Sequence, residues 1–300
     1  MQKTLFIDST PEIDALWQRV LRPDDIKIDV NMGPVEGEAA VRLLGGYDTC
    51  IVDATYLDAA ALAACAGLRH IVFLGTGAAS YIDVAAAERL AIKVSTIKGY
   101  GDCAVAEHAM ALVFAAARQL AAMDRKVRAG GWGPLRGMQL GGKTIGLIGL
   151  GGVGREMARL ASGIGMTALA WNRSPIANPA APLAPLGAVL ARADVLSLHL
   201  GLNDETRHFM NRERLETAKP GVVIVNAARA GVIDETALVA LLRSGHVAHY
   251  ATDVFNQEPP AADDPLLALE NVTLSAHAGY NTPEAAMTMY RRAIDLAASG

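Results

Sequence analysis

The chain is short of cysteine, short of charge and without a long apolar run. Its three cysteines, Cys50, Cys65 and Cys103, form neither a C-x-x-C pair nor an even set. That excludes a disulfide framework and points to a reducing cytoplasm. Charged residues are 19% of the total, and 27 basic against 31 acidic side chains leave a net charge of −4. With no basic field, a nucleic-acid partner is not expected. The longest apolar candidate, 109–117, stops at Arg118, well short of the ~18–20 residues of a membrane helix, so no membrane partner is expected either. The opening MQKTLFIDST has no apolar signal core, because Asp8 interrupts it at once. Low-complexity tracts and short-period repeats are lacking too.

What is present is apolar and regularly punctuated. Hydrophobic residues make up 52% of 300, which excludes disorder and suits two domains of about 150 residues each. Short apolar runs alternate with amphipathic stretches, the signature of parallel sheets with helices on both faces. Strands are expected at 4–7, 26–30, 50–53, 71–74 and 92–95, with helices such as 11–20, 57–65 and 84–90 between them. One long helix is expected from Asp102 to about Arg128, ending in the Gly/Pro-rich AGGWGPLRG. A second series follows, with strands at 144–148, 167–171, 195–198, 222–225, 249–253 and 272–275. Asp234 and Gly245 punctuate one of its helices. The last helix, from about Pro283, has no sheet of its own and is free to return to the first domain. The expected fold is α/β with two doubly wound domains, one over 1–98 completed by 284–300, the other over 99–283.

The second series opens on KTIGLIGLGGVGREMARL, in which Gly149-x-Gly151-x-x-Gly154 follows an apolar strand and opens a helix. This is the Rossmann dinucleotide fingerprint. Gly149 allows the tight turn, Gly151 lets backbone approach a pyrophosphate, and Gly154 lets helix and strand pack closely. The helix start, with Gly152 and Val153, offers N–H groups and a positive dipole end to phosphates. At the end of the next strand, 23 residues after Gly149, Asn172 stands where an acidic ribose ligand is usual, followed by Arg173 and Ser174. A carboxylate would repel a ribose 2′-phosphate, whereas Arg173 can pair with one and Ser174 can hydrogen-bond to it. NADP(H) is therefore favoured over NAD(H), with NAD(H) possible. A second glycine motif, Gly137 to Thr144, fits the phosphate-loop pattern G-x-x-x-x-G-K-[ST] by letter. It lies between an irregular stretch and a strand, the reverse of the strand-to-helix context that motif needs.

Several dinucleotide chemistries are closed to this chain. No tyrosine has a lysine four residues on, which excludes the short-chain dehydrogenase pair, and the second half offers only Lys219 as a pocket lysine. Arg229, Glu258 and His277 instead follow three successive strands, where open α/β sheets place their ligands. A histidine can give or take a hydroxyl proton, a carboxylate can orient and charge it, and an arginine can hold a substrate carboxylate.

Beyond those residues, the chain resembles the D-isomer-specific 2-hydroxyacid dehydrogenases over nearly its whole length. The likeness is carried by FLGTGAASYID (73–83), AVAEHAMAL (104–112), GKTIGLIGLGGVGREMA (142–158), LHLGLNDETRHFMN (198–211), VNAARAGVIDE (225–235), DVFNQEP (253–259) and SAHAGYNTPEA (275–285). The resemblance implies a flavodoxin-like substrate domain beside the Rossmann domain. It implies that Arg229 clamps the substrate carboxylate, that His277 is the acid/base and that Glu258 is its partner. His199, Leu200, Ala227 and Asp253 would contact the cofactor, Asp253 near the nicotinamide amide. Gly75, Thr76, Gly77 and Tyr100 would contact the substrate, a small 2-keto or 2-hydroxy acid such as glyoxylate or hydroxypyruvate. Subunits would pair as a homodimer through the long helix and the Trp132 arm. No metal is expected. The chain departs from the family at Gly101, where asparagine is common, and at Gly201, Ala230 and Ala276, where proline, glycine and proline are common. Because the family also includes a dinucleotide-dependent corepressor, a regulatory binding protein is the alternative.

Overall fold

The computed structural model describes residues 3–299, which fall into two compact units, 3–101 with 282–299, and Asp102–Asn281. The divisions fall at 101/102 and 281/282 rather than 98/99 and 283/284. Along the chain, the first unit runs β1 (Thr4–Ser9), α1 (Pro11–Val20), β2 (Ile28–Met32), α2 (Gly37–Leu44), β3 (Thr49–Val52), α3 (Ala59–Ala64), β4 (His70–Phe73), α4 (Val84–Arg89) and β5 (Lys93–Thr96). The second unit follows with α5 (Asp102–Ala117), α6 (Leu120–Arg128), β6 (Thr144–Ile148), α7 (Gly152–Gly163), β7 (Thr167–Trp171), α8 (Leu186–Arg192) and β8 (Val195–Leu198). It continues through α9 (Arg212–Thr217), β9 (Val222–Asn226), α10 (Glu235–Ser244), β10 (Val247–Thr252) and β11 (Val272–Leu274). A last helix, α11 (Pro283–Ala298), belongs to the first unit.

Both sheets pair in parallel throughout, in the orders β2-β1-β3-β4-β5 and β11-β10-β9-β8-β6-β7. The first is the flavodoxin-like order, with its switch point between β1 and β3. In the second the chain steps outward from β6 to β7, then crosses back to β8, so the switch point lies where β6 ends. Each sheet is apolar on both faces because helices cover both, as parallel sheets require. In the first unit Leu5, Ile7, Cys50, Val52 and Ile71 face one layer, and Phe6, Ile51, Val72 and Leu74 face the other.

The second of those layers is closed by α1 and α11, which start alike. Thr10 and Thr282 cap them by accepting from Ile13 N and Ala285 N, and Pro11 and Pro283 take the first helical position. Proline costs nothing there, because that N–H has no partner in the helix. Trp17 lies between Phe6 and Tyr290, with ring centroids 5.0 and 5.8 Å away. Arg291 grips Asp25 with two bonds of 2.7 and 2.8 Å.

The long helix expected from 102 to 128 is interrupted. Gln119 has φ of 52°, a left-handed residue between α5 and α6. The returning segment fixes the break: Met138 N donates to Ala117 O at 2.7 Å, and Gln119 Nε2 donates to Arg136 O at 2.7 Å. The Ala117 carbonyl at the end of α5 is satisfied there rather than by another helical turn. The phosphate-loop-like letters from Gly137 to Thr144 run straight into β6.

At the switch point of the first unit, the Asp8 carboxylate accepts from the N–H groups of Asp53, Ala54 and Thr55 at 2.9, 2.8 and 2.6 Å. Asp53 gains no such solvation. Burial, with the Asp8 charge adding to it, pushes its carboxyl up to about 6. The folded protein therefore holds this proton where the unfolded chain has released it, and stability falls as pH rises from the ordinary carboxylate range through about 6. D53N is expected to raise Tm at pH 8 by roughly 2–4 °C and to leave it unchanged at pH 4, measured by thermal melting at both values.

Candidate active site

The glycine turn sits where β6 ends, at the second switch point. Gly149 has φ of 101°, and a Cβ there would lie 2.6 Å from His199 O. Only glycine satisfies both constraints. A Cβ on Gly154 would come within 2.3 Å of Gly149 O, so α7 packs directly on the turn. A Cβ on Gly152 would lie 1.7 Å from the Asp102 carboxylate, so a side chain there would require that carboxylate to move. Gly151 is different. It is exposed, its backbone is extended, and nothing lies within 4 Å of its Cβ position. The first inward hydrogen bond here is from Arg155 N to Gly151 O, so the amides ahead of it are the ones a helix start leaves unbonded. Open space, unbonded N–H groups and a helix N-terminus are what a dinucleotide pyrophosphate requires, and these residues fit one.

Asn172 closes the turn from β7. Its Oδ1 accepts from Leu150 N at 3.0 Å and its Nδ2 donates to Ser174 O at 2.8 Å. Both ends of the amide are thereby used by the protein. Arg173 and Ser174 are exposed, and Arg173 is ion-paired with Glu205, a partner not evident in the sequence. His199 follows β8, with its N–H bonded to Ile148 O. Its ring Nε2 is buried without a partner, and burial pushes the imidazole down to about 4, so it stays neutral. Leu200 and Ala227 pack partly buried against opposite core layers.

Arg229, Glu258 and His277 all lie in the second unit, beyond the ends of the neighbouring strands β9, β10 and β11. Buried Asn226 shapes the first loop, accepting from Ala228 N and donating to Arg229 O, both at 3.0 Å. The Arg229 guanidinium is exposed and bonds only the neighbouring Ala228 O, with no carboxylate partner among the described residues. Glu258 Oε1 accepts from Phe255 N at 3.0 Å, and its Oε2 lies 2.6 Å from His277 Nδ1. A carboxylate can only accept, so Nδ1 carries the proton and Nε2 is the nitrogen left for chemistry. The pair borders an open groove of about 480 Å³ with Phe255, Pro259, Leu267 and Leu274.

His277 has φ of 50°, a left-handed backbone uncommon outside glycine. Asp253 holds it there. Asp253 O accepts from His277 N at 2.9 Å, while its carboxylate accepts from Ala278 N at 3.0 Å and Gly279 N at 2.8 Å. Ser275 Oγ adds a bond of 2.6 Å to the same carboxylate, and His108 of α5 reaches both Ser275 Oγ (2.8 Å) and Asp253 Oδ1 (3.2 Å). His108 and Ser275 were not among the residues expected from sequence. Nothing in their spacing marks them, since the contact spans 167 positions.

The substrate-contact candidates lie in the first unit. Gly75, with φ of 154°, is held between Phe73 O and Ile97 N, and Thr76 and Gly77 follow it exposed at the surface. Tyr100 is half-buried against the layer formed by α1 and α11.

The NAD binding domain of the D-isomer specific 2-hydroxyacid dehydrogenases matches residues 110–279. A D-3-phosphoglycerate dehydrogenase of Archaeoglobus fulgidus is 35% identical over 276 residues, covering 90% of this chain and 52% of that protein. A hydroxypyruvate reductase of Thermotoga maritima is 36% identical over 265 residues, 86% of either chain. Among solved structures, a glyoxylate reductase from Paecilomyes thermophila superposes with a TM-score of 0.83 at 30% identity, covering 98% of this chain and 93% of that one. The chain spans about half the length of the phosphoglycerate dehydrogenases it matches and most of the hydroxypyruvate reductase. With the family's domain matched over more than half of its residues, the chain belongs to the D-isomer specific 2-hydroxyacid dehydrogenases.

Proposed function

We propose that this protein is an oxidoreductase that interconverts small 2-keto and 2-hydroxy acids, such as glyoxylate or hydroxypyruvate, with NADP(H) preferred over NAD(H). The observation that carries the reading is the 2.6 Å contact between His277 Nδ1 and Glu258. It leaves Nε2 as the nitrogen not engaged by Glu258, beyond the same sheet edge as the unpaired guanidinium of Arg229. The glyoxylate and hydroxypyruvate reductases among the relatives support the choice of substrate.

When bound, the nicotinamide supplies or accepts the hydride. The protein does the rest. Arg229 holds the substrate carboxylate in a bidentate grip and stabilises the charge that develops on the carbonyl oxygen. His277 Nε2 delivers the proton that completes the alcohol in reduction and removes it in oxidation. Glu258 holds the ring in one orientation and stabilises the imidazolium when it forms. Arg173 would hold a ribose 2′-phosphate by exchanging its bond with Glu205.

The free thiols Cys50, Cys65 and Cys103 suit a reducing cytoplasm. A homodimer suits the exposed apolar groups of the second unit, where Trp132 is 87% accessible and Phe114, Leu120 and Val127 are also exposed.

NADPH consumption with a panel of 2-keto acids tests the reading directly. No turnover of any of them would refute it. H277Q is expected to lower kcat by about 10²- to 10⁴-fold, and R229K to lower kcat/KM on the order of 100-fold. Parental values in either variant remove that residue from its role. G151A is expected to fold within ~0.5 kcal/mol of the parent while dinucleotide affinity falls at least roughly tenfold, read by calorimetric titration. G154A, where the added methyl meets backbone, is expected to lose about 1–3 kcal/mol of stability in denaturant melts. E205Q frees Arg173 and is expected to raise the ratio of kcat/KM with NADPH to that with NADH, whereas R173A lowers it. A ratio unmoved by both changes rules out Arg173 as the discriminating residue.

A further inference from the structure

The His277 side chain is oriented by Glu258, but its backbone is oriented by something else. A left-handed histidine next to a reacting centre keeps its conformation only where the surroundings over-determine it. Here the determinant is the Asp253 carboxylate, which is 2% exposed and has no lysine or arginine beside it among the described ion pairs. It is solvated by four donors instead: Ser275 Oγ, His108 Nε2, Ala278 N and Gly279 N.

The hydrogen-bond directions among them follow from chemistry. The carboxylate cannot donate, so the single Ser275 proton goes to it along the 2.6 Å contact. Ser275 Oγ is then an acceptor toward His108, and His108 Nε2 must carry hydrogen whether the ring is neutral or charged. The result is a directed chain, His108 N–H to Ser275 O–H to Asp253 carboxylate. It ties the middle of α5 to the segment 275–279 that carries His277. The packing is correspondingly close. A Cβ on Gly279 would meet Asp253 Oδ2 at 3.1 Å and His108 Cβ and Cδ2 at 3.6 Å.

We propose that His108 is a positioning residue for His277, acting through Ser275 and Asp253 to hold segment 275–279 in the one conformation that sets the imidazole against Glu258. Helix α5 is buried along Ala106, Ala109, Met110 and Val113, so His108 is a rigid anchor for a loop. Without its N–H, Ser275 loses one bond, the Asp253 charge loses a donor and the clamp on His277 slackens. The proposal rests on the acid/base reading of His277.

The test compares H108L, which deletes the donor, H108Q, which keeps an N–H able to reach Ser275, and S275A, which removes the link itself. In H108L and S275A, kcat for 2-keto-acid reduction is expected to fall roughly 10- to 100-fold, the range for small misplacements of a reacting group. H108Q is expected to recover most of the lost kcat. A readout independent of turnover is amide hydrogen exchange in the cofactor-free protein. The amides of His277, Ala278 and Gly279 are expected to exchange faster in H108L and S275A, with those of β11 unchanged. Parental kcat in H108L and S275A overturns the proposal. So does an equal loss in H108L and H108Q with exchange of 277–279 unaltered. If H277Q itself retains parental activity, the acid/base reading fails instead, and the exchange data still report whether the clamp exists.

Discussion

Two buried aspartates set the geometry of the strand ends on which everything else depends. Asp8 closes β1 and takes three N–H groups from the loop that follows β3. Asp253 follows β10 and takes two N–H groups, a hydroxyl and an imidazole from the segment that follows β11 and from α5. In both units a carboxylate on one strand thus fixes the loop of its neighbour at the C-terminal edge of a parallel sheet. A buried carboxylate without such donors would be strongly destabilising. With them it cross-links two loops, because charge-assisted bonds to backbone amides are short and directional. The loop fixed by Asp253 carries His277. In the proposed reading, placement of the proton-transferring imidazole therefore begins with Asp253, which holds the loop rather than the ring.

The parts of the fold that were legible in sequence are those decided by local pattern. Strands at 144–148, 167–171 and 195–198 appear with the bounds their apolar runs predict, since both faces are buried and the runs are continuous. The helix from Asp234 to Gly245 is capped as its punctuation predicts, with Gly245 at φ of 78°. Register at the first sheet was less legible. The strand expected at 26–30 lies at Ile28–Met32, and Ile26 packs against the core from the loop instead. The break between α5 and α6 was invisible because AARQLAAMD contains neither glycine nor proline. It is imposed from outside, by residues 136–138 bonding the end of α5. The pairing of Glu258 with His277 could be guessed from chemistry, whereas the roles of His108, Ser275 and Glu205 depend on contacts between distant positions and had no local signal.

Asn172 has a structural task at the end of β7 that its spacing from Gly149 does not reveal. It occupies the position where a carboxylate would select against a 2′-phosphate, and its neutrality removes that repulsion. Its amide, however, is spent on Leu150 N and Ser174 O, which fasten the glycine turn to the end of β7. A carboxylate could accept from Leu150 but could not donate to Ser174, so aspartate here would leave that carbonyl without its partner. The amide thus serves the turn first, and in the proposed reading discrimination between the two cofactors passes to Arg173. That side chain is exposed and already matched with Glu205, also exposed. An exposed pair contributes little to stability and exchanges partners at small cost, whereas a phosphate offers more charge and more acceptor oxygens than a carboxylate. Glu205 therefore pairs with the guanidinium without holding it strongly enough to prevent exchange, and the proposed preference for NADP(H) rests on this difference in partners.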